Sequence, residues 1–227
     1  CLINERERAM VTVDGSTEAL GIVRFGPEAL DCHVDEFRAL KYLGQRGQEL
    51  TDELADRFQD AIRLCESIAR PRGIARSFAL ERRADGIALA GNTLVLTGHN
   101  IARHLDGCPL ACLLAVTLGM EGERMIARLQ ATSPLDALLF DACASSMTEE
   151  AAQAASQRIA ELADEAGLVP TKRFSPGFGD LTLELQDAFL QTIDADKLLG
   201  IHAGSSHLMT PMKSVTAIVG LKPDPHA

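Results

Sequence analysis

Aromatic side chains are scarce in this 227-residue chain: it has no Trp, one Tyr and 4% aromatics in all. Its core must therefore be aliphatic, and a 46% hydrophobic content is enough to fill one sizeable core. Positive charge is also in deficit, with 22 Lys and Arg against 32 Asp and Glu and a formal net charge of -10. That balance argues against a nucleic-acid partner, which needs a basic stripe to displace counterions from phosphates. No apolar run approaches the ~20 residues that a membrane helix requires, so no membrane partner is expected. The opening CLINERERAM lacks the basic-then-apolar order of a secretory signal, and a cytoplasmic location is expected.

Regular cysteine spacing is missing too. Cys1, Cys32, Cys65, Cys108, Cys112 and Cys143 are irregularly placed in a chain too long to need a disulfide framework, and they read as reduced, mostly buried thiols. Cys108 and Cys112 lie one helical turn apart and could join His104 on one face, but no fourth zinc ligand is evident. Position 115, where an iron-sulfur spacing would need a third cysteine, is Ala115. In DCHVDE, which begins like an Asp-x-His cobalt-ligating pair, Glu36 stands where a glycine is needed, so His33 reads as a surface residue. There is no Gly-x-x-x-x-Gly-Lys, no Gly-x-Gly-x-x-Gly after a strand, no His-Glu-x-x-His and no Gly-x-Ser-x-Gly elbow. The common cofactor and hydrolase signatures are thereby excluded, and no metal site is expected.

What is present alternates between helical and extended patterns. Leu54, Phe58, Ile62, Leu64 and Ile68 recur at helical spacing after a Thr51 or Asp52 cap, and the helix should stop before Pro71 and Gly73. Residues 74–98 read as two or three antiparallel strands with turns at Asp85-Gly86 and Gly91-Asn92. ACLLAVTLG is a buried run of ambiguous type ended by Gly119, and MEGERMIARLQ after it is helical. The longest periodic segment runs from a Ser133 cap with Pro134 in its first turn to Gly167. From residue 197 the tail returns to strand character around a Gly204-Ser205 turn. These elements predict an α+β fold, a mainly antiparallel twisted sheet with packed helices. Residues 1–34 form an N-terminal segment that could add a strand, and residues 35–227 form a single domain.

One stretch, RFSPGFGD at 173–180, combines stiffness and openness that ordinary loops lack. Pro176 keeps Ser175 out of the helical region, and Ser-Pro-Gly-Phe has the composition of a type II turn with Gly177 supplying the positive φ. Gly177 and Gly179 let a ligand approach the backbone, Arg173 can hold a carboxylate in a charge-assisted pair, and Phe178 offers a ring face to a flat base or a cation. Asp180 reads as the cap of a following helix over LTLELQDAFLQ. On composition alone the stretch fits a well-built turn with Arg173 in a surface salt bridge as well as it fits a ligand loop.

RFSPGFGDLTLELQ followed by LGIHAGSSHLMTPMKSVTAIVGL resembles the reactivation domain of cobalamin-dependent methionine synthase in its small free-standing form. Arg173, Pro176 and Gly177 match an Arg-x-x-Pro-Gly-Tyr motif, while Gly200, Ser206, Met209, Pro211, Ser214 and Val215 match a second. AVTLGMEGERMIARLQ and LFDACASSMTEEAA are similar to the middle of the free-standing versions, so the likeness extends from about residue 35 onward. The resemblance implies binding of S-adenosylmethionine, with Arg173 on the methionine carboxylate and Ser175, Pro176 and Gly177 lining the site. Phe178 stands where the family has tyrosine, and Val219 and Gly220 stand where it has an aromatic pair with backbone contacts to the ligand. Glu149 or Glu150, on the long helix, could face the site or the corrin, and the favoured reading is a solvated helix face.

The resemblance further implies an activation subunit that supports reductive methylation of cob(II)alamin. The cobalamin would be supplied by a partner, the cobalamin-bearing methionine synthase core, and the electron by a flavodoxin or ferredoxin-type donor. Two alternatives are a sensor or stabilising module that binds S-adenosylmethionine without turnover, and a reactivation subunit for a different corrinoid methyltransferase.

Overall fold

The computed structural model describes residues 21–45, 47 and 49–225. In chain order the strands are β1 (Val23–Phe25), β2 (Arg72–Arg83), β3 (Gly86–Leu89), β4 (Val95–Leu96), β5 (Leu110–Thr117), β6 (Leu168–Pro170), β7 (His202–Ala203), β8 (Met209–Thr210) and β9 (Ser214–Pro223). The helices are α1 (Glu36–Tyr42), α2 (Asp52–Ile68), α3 (His99–His104), α4 (Glu121–Thr132), α5 (Pro134–Glu165), α6 (Gln186–Thr192) and α7 (Ala195–Leu199). The fold is α+β, with every strand pairing antiparallel. One sheet runs β4-β3-β2-β5-β9-β6 with β1 beside β2, and β7 and β8 form a separate hairpin.

The ambiguous run resolves as the central strand. All eight residues of β5 are buried, because both faces of the sheet are covered. Ala111, Leu113 and Ala115 join one core with Ile101, Leu105, Phe189 and Leu199, while Cys112, Leu114 and Val116 join another with Ala152, Ala155 and Ile159. A strand apolar on both faces shows no period of two, which is why its pattern does not distinguish it from a buried helix.

The sheet's second covered face depends on α5, whose 32 residues span roughly 48 Å at 1.5 Å per residue. Ser133 Oγ accepts from the Asp136 N–H at 3.4 Å, Pro134 occupies the first turn, and Gly167 at φ 67° follows the helix end. Its first half packs on α1, α2 and α4 through Leu139, Phe140, Cys143 and Met147. Its second half turns Ala152, Ala155, Ile159 and Ala163 onto the sheet. Small side chains at these contacts allow the helix axis to lie close to β5 and β9.

Polar ties fix β9 on both sides. Lys213 is buried, and its Nζ reaches Asp141 Oδ1 at 2.8 Å and Ser145 Oγ at 2.8 Å on α5. Gln186 on α6 exchanges two hydrogen bonds with Thr216, at 2.9 and 3.1 Å. A buried polar group loses its hydration, so each of these partners is needed to offset that cost.

Three expectations of local structure change. Residues 197–199 belong to α7, so the strand-like tail begins later, at β7. Cys108, Cys112 and His104 do not share a helical face, since Cys112 lies inside β5, Cys108 precedes it and His104 ends α3. Burial pushes the Cys65, Cys112 and Cys143 thiols up to about 12, and Cys32 to about 11, which suits small apolar packing rather than reactivity. The third change concerns Asp180 and is a property of the site. Among the described residues no helix is long and apolar enough to cross a membrane.

Ala152 is fully buried between α5 and the sheet. Ala152→Leu should destabilise the fold by about 1–3 kcal/mol through overpacking, read as a lower urea midpoint at unchanged slope.

Candidate functional site

A groove of about 730 Å³ runs between the second half of α5 and the strand-to-loop segment at 170–178, with β9 beneath it. Glu149, Gln153, Ser156 and Gln157 line the helix side, Arg173, Ser175 and Phe178 the loop side, and Val215 and Val219 the floor. Four of the residues singled out in the sequence, Arg173, Ser175, Phe178 and Val219, therefore meet in one concavity. A second groove of about 530 Å³ lies between α2, α4 and α5, but it contains none of the motif residues.

The loop is built as its composition requires. Gly177 has φ 88° and the Phe178 N–H donates to the Ser175 carbonyl at 3.1 Å, the geometry of a type II turn. Pro176 is buried, and the Gly177 N–H donates to the Leu181 carbonyl at 2.8 Å, so the turn is held from beneath. The Phe174 backbone bridges Ile218 of β9 in both directions, at 2.9 and 2.7 Å. Phe178 is 69% exposed, a large apolar ring left at the groove mouth.

Asp180 does not cap the helix that follows it. That segment begins as a 3-10 turn at Leu183–Leu185 and becomes α6 only at Gln186. The Asp180 carboxylate instead accepts the backbone N–H groups of His99 at 2.6 Å and Asn100 at 3.0 Å, capping α3, whose own N-cap residue is Gly98. The loop is thereby clamped to the opposite helical layer. Close approach is needed there: a Cβ on Gly179 would sit 2.5 Å from Asn100 Nδ2, and one on Gly98 2.6 Å from Asp180 Oδ1.

Gly220 is explained by packing. Its N–H donates to Thr171 Oγ1 at 2.9 Å and its carbonyl accepts from the Thr171 N–H at 2.7 Å. A Cβ there would lie 2.6 Å from Cys108 Sγ and 2.9 Å from Leu105 Cδ2, on the sheet face away from Val219. Thr171 also meets His104 Nε2 at 2.9 Å, and the His104 ring lies 5.1 Å from that of Phe174. Burial pushes His104 below its ordinary value, and Lys222 adds to this against the opposing Lys172 carbonyl, so the ring is a neutral packing element at pH 7.

Glu149 is the residue whose role the sequence understates. Far from a solvated face, it is half-buried and forms an ion pair and hydrogen bond with Arg173, with Arg38 3.8 Å from the same carboxylate oxygen. Arg38 also reaches Glu150 at 3.1 Å and Asp35 at 3.8 Å. The signal available in the sequence was the polar series Glu149, Gln153, Ser156 and Gln157, which recurs at helical spacing within an otherwise alanine-rich helix. Among the described residues no group of three or more His, Cys, Asp or Glu is arranged to hold a metal.

No family model and no curated protein matches this chain. A solved structure, the MetH reactivation domain bound to AdoHcy, superposes with a TM-score of 0.69 over 91% of this chain and 80% of that one, at 19% identity. The fold is that of the MetH reactivation domain. At this identity the likeness is one of architecture.

Two predictions rest on the loop and its surroundings. Partial desolvation raises the Asp180 carboxyl, but the N–H groups of Asn100 and His99 together outweigh it and hold the group below the usual carboxylate range. Its stabilising effect is therefore complete above the ordinary carboxylate value and is lost as pH falls through the lowered one. Asp180→Asn should remove this component from the pH dependence of thermal unfolding, leaving a shallower decline in Tm toward acid. Gly220→Ala should cost about 1–3 kcal/mol in chemical denaturation by crowding Cys108 and Leu105.

Proposed function

We propose that this chain is an S-adenosylmethionine-binding activation subunit, supporting reductive methylation of cobalamin on a cobalamin-bearing methionine synthase core. The observation that carries the reading is the convergence of Arg173, Ser175, Phe178 and Val219 on one groove, in a chain whose fold is that of a domain solved with AdoHcy bound.

The chain's own task in this reading is to bind and orient. Arg173 supplies a planar fork of donors for the methionine carboxylate. The type II turn holds Ser175 and Gly177 so that little freedom remains to be lost on binding. Val215 and Val219 give the ligand an apolar floor, and Phe178 offers its ring to the base or to the sulfonium. Transfer of a sulfonium methyl requires no proton movement, so a groove with no dedicated acid or base suits it. Holding the methyl toward an external acceptor is then the contribution to rate, one of proximity and orientation.

Cobalamin, held by the partner, supplies the nucleophile when reduced. The electron would come from a flavodoxin or ferredoxin-type donor, and both encounters belong to a cytoplasmic setting. The net charge of -10 would affect the rates of docking in a salt-dependent way.

Titration calorimetry with S-adenosylmethionine and S-adenosylhomocysteine tests the reading directly: saturable binding is expected, and its absence overturns it. Arg173→Ala should weaken either ligand by several-fold to about a hundredfold, the range of a lost charge-assisted pair of ~1.5–3 kcal/mol. Unchanged affinity in that variant would remove Arg173 from the site.

A further inference from the structure

We infer that the groove between α2, α4 and α5 is a docking site for a basic amphipathic helix of a partner protein. It shares no lining residue with the groove beside the RFSPGFGD loop, and the inference is independent of the ligand reading above.

Both α2 and α4 pack on the first half of α5, and between them they leave a groove of about 530 Å³. Its floor is apolar. Ala61 and Phe140 are buried beneath it, while Leu64 and Leu129 are only half-buried, with part of each side chain left for an occupant to cover. The α2 lining runs along one helix face from Glu53 to Leu64, roughly 17 Å or three turns. Every lining residue lies in a helix, whose backbone groups beyond the first turn are paired internally, so an extended segment would find no ladder to join. A helix satisfies its own backbone and packs its side-chain ridges between those of its neighbours. A three-turn helix therefore fits the groove, its apolar stripe seated on Leu64 and Leu129.

Charge sets the sign of the occupant. Glu53, Asp56, Asp60 and Asp136 line the groove against one cation, Arg57, which is committed to Asp136 at 2.8 Å and Ser133 at 2.9 Å. Asp60 meets Arg63 at 2.5 Å in a pair open to solvent, and Glu53 and Asp56 are exposed. The helix itself does not account for Asp56 and Asp60. They lie beyond the first turn, where its dipole would favour them, and stand at the i,i+4 spacing at which like charges repel. Aspartate is also a poor helix former. Lys or Arg side chains flanking the occupant's apolar stripe would meet these carboxylates.

The same charge argues against self-occupancy. A second copy brings a net charge of -10, and residues 1–20 hold four carboxylates against two arginines. A single helix of three turns buries less surface than a permanent interface needs, so the contact is a transient one.

Fluorescence anisotropy on the full chain tests the assignment with a labelled peptide of two Leu-Lys-Lys-Leu-Leu-Lys-Leu repeats. A second peptide has the same composition in an order that forms no apolar stripe. The repeat peptide should bind saturably, and the shuffled one at least about tenfold more weakly. Asp56→Asn/Asp60→Asn should weaken the repeat peptide about three- to tenfold at low salt, an effect that shrinks as salt is added. Leu64→Gln should weaken it about tenfold at any salt, because apolar burial is not screened, and Leu64→Met should bind as wild type does. Asp164→Asn/Glu165→Gln removes the same charge from the other end of α5 and should leave affinity within about twofold of wild type.

Absence of binding by the repeat peptide overturns the inference. Equal binding of the shuffled peptide, or equal weakening by the α2 and α5 charge variants, also overturns it, because net charge alone would then be the attraction. Sedimentation of the free protein should show a monomer. A dimer that is lost in Leu64→Gln would make the occupant a second copy and overturn the assignment to a basic partner.

Discussion

The close approach of α5 to the sheet through alanine sets the geometry on which the site depends. Ala152, Ala155 and Ala163 are fully buried against the sheet, with Ile159 the larger side chain among them. The same helix turns Glu149, Gln153 and Gln157 outward along its margin, where segment 170–178 runs past. The groove is the space left between a helix pressed onto the sheet and a loop bonded to the edge of β9. Its depth therefore follows from packing in the core as much as from the residues that line it.

Charge within the groove is organised in a chain from α1 to the loop. Arg38, Glu149 and Arg173 alternate in sign, with Asp35 and Glu150 flanking Arg38. Half-buried pairs of this kind, still open to solvent, contribute modestly to stability individually. Their larger effect is orientational: Arg173 is held across the groove from its own loop, so the loop and helix walls are joined at the place where a ligand would sit. Asp180 provides the corresponding tie at the loop's far end, to α3.

Much of this was legible in the sequence, and the exceptions share a cause. The α2 helix, the β2 to β4 strands with their turns, the α4 and α5 helices and the type II turn at 175–178 all carry local signals, such as Thr51, Ser133 and the Ser-Pro-Gly run. What escaped was decided by partners distant in the chain. The α3 helix starts at a glycine and is capped from Asp180, some eighty residues away, so nothing local announces it. Asp180 in turn looked like the cap of its neighbour. Glu149 looked solvated because the cation that claims it lies 24 residues further on, across a helix end and a strand. The β5 strand was ambiguous because burial on both faces erases the alternation that would mark it.

The alternation along β9 has a consequence for how the groove can fail. Val215, Ala217, Val219 and Leu221 face the α5 side while Ile218 faces the other core, and Gly220 leaves room there for Cys108. A one-residue slip of this strand against β5 would exchange the two faces wholesale, driving Leu221 toward Cys108 and presenting a glycine as part of the groove floor. A chain that has threaded β9 correctly has Val215 and Val219 in its groove floor, and one slipped by a single residue in that direction has Thr216 and Gly220 in their place.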